Sequence, residues 1–128
     1  KFKSFEGNVM SKLSIIENGN FVMGNVNSSM VSNEQLAVSW LTASEEDRIL
    51  LNLGLIDLES SSIKKIVVDE FDSNQRLSVP QVVYSDESLF LSLSKFTDKK
   101  HNLYASKIDI SVFDKQVLSD IEWVKDEI

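Results

Sequence analysis

Apolar and polar residues alternate in steps of two along much of the chain. Leu89, Leu91 and Leu93 are separated by Phe90 and Ser92, and Leu36, Val38 and Trp40 by Ala37 and Ser39. A period of two sends successive side chains to opposite faces of a sheet, so both stretches read as strands. The larger side chains, Leu36-Val38-Trp40 and Leu89-Leu91-Leu93, are assigned to the core, and Ala37 and Phe90 to the outer face. The surrounding segments extend the pattern. Residues 8–16 read as a strand. Glu17-Asn18-Gly19-Asn20 follows as a hairpin turn, because Asn-Gly between apolar runs supplies the positive φ angles that a tight turn needs. Phe21-Val22-Met23 returns from that turn, and 25–29 reads as a polar connection. Strands are then expected at 30–32, 36–43, 49–58 and 63–70, and again at 79–84, 89–95, 103–110 and 116–123. Polar turns separate them, with Ser85-Asp86-Glu87-Ser88 and a longer loop, Thr97-Asp98-Lys99-Lys100-His101-Asn102, in the second set.

The two sets resemble each other. Ser32-Asn33-Glu34-Gln35-Leu36-Ala37-Val38-Ser39-Trp40-Leu41 aligns with Ser85-Asp86-Glu87-Ser88-Leu89-Phe90-Leu91-Ser92-Leu93-Ser94, identical at four of ten positions. After one residue of slippage, Ile56-Asp57-Leu58 falls on Ile108-Asp109-Ile110, and Glu70-Phe71 on Glu122-Trp123. Ser11-Lys12-Leu13-Ser14-Ile15 reads as part of a third copy. These similarities divide a single all-β domain into repeats at about 30–79 and 80–128, with a partial repeat at 1–29. A repeat of four short strands is the pattern of a propeller blade. The expected fold is therefore an antiparallel meander of about two and a half blades, with a β-sandwich or small barrel as the alternative.

Two segments carry competing helical patterns. Ser32 with Gln35, and Ser44 with Asp47, have capping-box spacing, and Gly54 stands where a helix could end, which would make 33–53 a helical hairpin. In the tail, Phe113, Val117, Ile121, Val124 and Ile128 recur at helical spacing, so 111–128 fits either a strand or a short helix.

Composition narrows the function classes. The formal charge of −7 at pH 7 argues against nucleic acid or an anionic membrane as a partner, since both need a cationic face. No apolar run approaches the length of a membrane-spanning helix. Cysteine is absent, which removes disulfide and thiol chemistry and leaves the compartment open, a secreted or periplasmic location being slightly favoured. Asn27-Ser28-Ser29 fits a glycosylation acceptor, relevant only to a secreted eukaryotic protein.

The segments Pro80-Gln81-Val82-Val83-Tyr84, Leu89-Phe90-Leu91-Ser92 and Leu103-Tyr104-Ala105-Ser106-Lys107-Ile108-Asp109 resemble the repeats of sialidase-like propellers, and equally those of five-bladed furanosidase propellers among glycoside hydrolases. The resemblance implies the fold. It does not extend to catalysis. The sialidase Asp box, S-x-D-x-G-x-x-W, is absent; Val79 precedes Pro80 where the furanosidases carry a catalytic Asp; and Arg48 and Arg76 are the only arginines.

Glycoside hydrolysis needs at least a pair of carboxylates, and among candidate site residues Asp57 and Asp109 occupy equivalent places in the two repeats. Their alternation with Ile56/Leu58 and Ile108/Ile110 favours a solvated or turn-anchoring role. Tyr84, Tyr104 and Trp123 are the aromatic candidates for ligand contact, whereas Trp40 is in phase with core positions. His101 stands alone without a second histidine, so no metal and no cofactor is expected. Asp69-Glu70 with Asp72, and Glu45-Glu46-Asp47, read as acidic turns rather than calcium loops. No catalytic constellation emerges. The expected function is non-catalytic recognition of a carbohydrate or protein partner through the loops, with a segment of a glycosidase-type propeller or a structural assembly subunit as alternatives. Because two and a half blades cannot close a ring, the chain is expected to be a homo-oligomer or part of a longer polypeptide.

Overall fold

The computed structural model describes residues 21–115 and 124–127. Its elements are β1 (Phe21–Met30), β2 (Gln35–Ala43), β3 (Arg48–Asp57), β4 (Ile63–Asp72), β5 (Arg76–Leu77), β6 (Gln81–Ser85), β7 (Ser88–Thr97), β8 (Lys100–Asp109), a one-turn helix α1 (Val112–Lys115) and β9 (Val124–Glu127). The fold is all-β. β1 to β4 form one antiparallel sheet in sequential order. The second sheet runs β5, β7, β8, β9, with β6 joining the same edge of β7 as β5. Among the described residues neither sheet closes into a barrel.

The helical hairpin at 33–53 is replaced by β2 and β3, which pair without interruption from Gln35↔Asp57 to Ala43↔Ile49. The helix-cap signals are real but cap turns: Ser32 Oγ accepts the Glu34 N–H, and Ser44 Oγ accepts the Glu46 N–H. Residues 25–29, read as a polar connection, lie inside β1, and 31–34 form the turn instead. Gly24, at φ 71°, sits where the β1–β2 register shifts between Met23 and Asn27, so the extra residues of a bulge leave the strand continuous. The loop expected at 97–102 shrinks to Asp98-Lys99, both left-handed, since Thr97 already pairs with Lys100. Val112 and Phe113 of α1 are buried, and Lys64 bonds Asp114 across to β4 at 2.5 Å. The strand expected at 116–123 lies outside the described residues, as do the strand at 8–16, the turn at 17–20 and so the first twenty residues of the partial repeat at 1–29.

The core fills the space between the sheets. Ala37, Leu41, Leu51, Leu53 and Ile66 of the first sheet meet Val82, Leu89, Leu91, Leu93 and Ile108 of the second. The inward assignment is right for β7 and incomplete for β2. Ala37 and Leu41, not Leu36 and Val38, face the second sheet, and Val38 and Trp40 are buried on the opposite face. Both faces of β2 are therefore inside. On that far face the Trp40 ring lies against Gly54, where an added Cβ would come within 3.1 Å of it, and Asn52 Nδ2 donates to Thr42 Oγ1 at 3.0 Å and to the Leu50 carbonyl at 3.2 Å.

Side chains of the first sheet also satisfy the free edge of β6. Asn27 Oδ1 accepts the Val82 N–H, Ser29 Oγ accepts the Tyr84 N–H, and Ser39 Oγ donates to the Pro80 carbonyl. An exposed strand edge is thereby closed by hydroxyl and amide groups rather than by another strand. Asn27 is committed to this contact, so its place in a glycosylation motif has a structural explanation.

Candidate functional site

At one end of the inter-sheet core the two inner faces part around a cleft of about 330 Å³. Register explains its lining. Phe71 opposes Ile49 and so turns toward the second sheet; Tyr104 opposes Leu93 and turns toward the first. Leu93, buried at 2% exposure, provides an apolar surface between them. Lys95 reaches in beside both rings, its Nζ 5.9 Å from the Phe71 centroid and 5.3 Å from that of Tyr104. These are cation–π distances, and they hold the ammonium over two aromatic surfaces.

The rim is charged, formed by positions that alternate with Ile49 and Phe71. Arg48 opens β3 and is directly opposite Asp72, which closes β4. Its guanidinium is hydrogen-bonded to Asp72 and lies 3.7 Å from Glu70 Oε2. With half or more of each carboxylate side chain in solvent, these pairs orient the arginine more than they stabilise the fold. Asp69 and Gln75 complete the lining. The cleft thus combines two aromatic surfaces and an ammonium with a charged rim of guanidinium and carboxylate groups and a carboxamide. This arrangement can hold a polar ligand with apolar patches. No nucleophile–base pair lies in it.

The sequence-derived candidates are dispersed. Tyr104 lines the cleft. Tyr84 is at the other end of β7, opposite Leu89, half-buried against the core. Asp57 is at the far end of β3 from Arg48, roughly 30 Å away at the usual rise per strand residue. Its Oδ1 accepts the N–H groups of Glu59 and Ser60, and those bonds hold its carboxyl below the ordinary carboxylate value. Asp109 Oδ1 accepts the Ser111 N–H in the matching turn of the second sheet. Both aspartates anchor turns. Trp123 lies outside the described residues.

Other readings are revised by position. Asp69, Glu70 and Asp72 belong to β4, not to an acidic turn, and the described residues contain no group of three or more His, Asp or Glu side chains arranged to hold a metal ion. His101 is in β8, its ring 4.7 Å from that of Phe96. Arg48, Phe71, Gln75 and Lys95 escaped sequence reasoning as site residues, although Arg48 and Phe71 were each noted separately. The β3–β4 and β7–β8 registers and the packing of one sheet on the other bring them together.

No protein-family model, no curated protein and no solved structure matches this chain. Among the described residues, no helix is long and apolar enough to cross a membrane.

Proposed function

We propose that this chain is a non-catalytic binding module whose inter-sheet cleft recognises a carbohydrate. The observation that carries the reading is the convergence of Phe71, Tyr104 and Lys95 with the Arg48–Asp72 pair around one cleft of about 330 Å³. A sugar ring has an apolar C–H face and a hydroxyl rim, which suit an aromatic surface beside fixed donors and acceptors. Three carboxylates against two cations in the lining, on a chain of charge −7, favour a neutral or amino sugar over an acidic one.

The test is a panel of immobilised neutral, amino and acidic oligosaccharides probed with the labelled chain and with its Tyr104→Ala and Lys95→Ala variants. Neutral or amino sugars should be retained, and Tyr104→Ala should weaken retention at least about tenfold, equivalent to ~1.4 kcal/mol, with an unchanged thermal transition. Binding that is indifferent to both substitutions, or confined to acidic sugars, would refute this site.

A further inference from the structure

The central strands of the two sheets are equivalent pair for pair. Leu36 opposes Ile56 as Leu89 opposes Ile108, and Ala43 opposes Ile49 as Phe96 opposes His101. The turns match as well: the Leu58 N–H bonds the Glu34 carbonyl, and the Ile110 N–H bonds the Glu87 carbonyl. This equivalence identifies which face meets which. The first sheet presents Ala37, Leu51 and Leu53 to the second, and their counterparts Phe90, Leu103 and Ala105 are on the second sheet's outer face. The second sheet presents Leu89, Leu91 and Leu93, whose counterparts Leu36, Val38 and Trp40 are on the far side of the first. Unlike faces pack together, so the contact is head-to-tail and not two-fold. A head-to-tail contact leaves a fresh copy of the accepting face at its end.

That copy is on the surface. Val83, Phe90 and Leu103 are 57%, 43% and 38% exposed, and Val83 and Phe90 border a groove of about 430 Å³ that continues over Ser92 and Ala105. Its composition follows the template. Of the four accepting positions that are wholly buried in the first sheet, Ala37, Leu51 and Leu53 correspond to apolar residues in the second, and Ser39 corresponds to Ser92. At the three that are slightly less buried, Leu41, Ile49 and Leu55, the second sheet carries Ser94, His101 and Lys107. An apolar centre inside a polar rim is the anatomy of an interface that forms and is also seen by water.

We propose that this outer face docks a further antiparallel sheet of the second sheet's design, seated on the second sheet as the second is seated on the first, with its leucine-bearing face inward. The chain's own Leu36–Val38–Trp40 face does not supply it, because Val38 and Trp40 are already 4% and 2% exposed. Two-fold pairing of the face with itself is disfavoured by Lys107, whose ammonium is 6.0 Å from the Phe90 centroid and would be carried into the contact twice.

The experiment joins a second copy of residues 73–128 to the full chain and follows the side-chain NMR signals of the original Val83, Phe90 and Leu103 against a soluble paramagnetic probe. Docking predicts a several-fold fall in their relaxation enhancement, abolished by Phe90→Lys in the original copy while that variant keeps the melting temperature of the unextended chain. An added copy that stays unfolded, or that leaves the three side chains as exposed as before, overturns the proposal. So does concentration-dependent dimerisation of the unextended chain by light scattering if Phe90→Lys removes it, because that result assigns the face to a two-fold contact.

Discussion

Asp57 shows how much one turn-forming carboxylate can report. Its Oδ1 receives two backbone N–H groups, and these bonds to the ionised form hold its carboxyl below the usual value. A group whose folded value is depressed contributes stability above its unfolded value, about 3.9, and loses it as pH falls through the folded value. Asp57→Asn keeps an acceptor oxygen for the turn and removes the titration. The variant should therefore be less stable than the parent near neutrality and show a shallower fall in urea midpoint below about pH 4, the two converging in acid. An acid limb as steep as the parent's would mean that other carboxylates carry the pH dependence.

At the scale of elements, the two hairpins of the second sheet turn through Asp86-Glu87 and Asp98-Lys99, all four at positive φ between 50° and 65°. Two successive left-handed residues match the twist of the flanking strands, which is why such loops favour Asn-Gly and Asp-Gly. Each turn here has its acidic first residue and lacks the glycine. A non-glycine residue in the left-handed region costs on the order of 1 kcal/mol. Glu87→Gly and Lys99→Gly should each raise unfolding free energy by about 0.5–1 kcal/mol, measured by urea titration. Destabilisation by Glu87→Gly would show that its side chain does more than occupy the turn; its carbonyl contact to Ile110 is backbone and survives the change.

At the scale of the whole molecule, the stacking of unlike faces decides which substitutions matter. Alternation alone places Ala37 and Phe90 in the same class, as outward positions of equivalent strands. In the fold Ala37 is wholly buried between the sheets, whereas Phe90 is 43% exposed. Ala37→Ser would leave a hydroxyl in an apolar core and should cost roughly 1–3 kcal/mol. Phe90→Ser should cost ~1 kcal/mol or less. Equal losses at the two positions, read from urea unfolding, would contradict the head-to-tail arrangement.

Local alternation was enough to identify an all-β chain, because a period of two requires a pleated backbone wherever one face is buried. It located β2, β3, β4, β7 and β8 to within a few residues, and the turns at Asp57 and Asp109, because Asx turns depend on residues two or three positions apart. It misread 25–29, where the polarity of Asn25, Asn27, Ser28 and Ser29 marks side chains that bond a neighbouring strand edge rather than water. It also could not choose the inward face of β2. With both faces buried, the period is present but its phase carries no information. The cleft was beyond reach for a related reason. Arg48 and Asp72, or Phe71 and Tyr104, are brought together by cross-strand register and by the packing of one sheet on another, and neither is encoded in any short stretch of sequence.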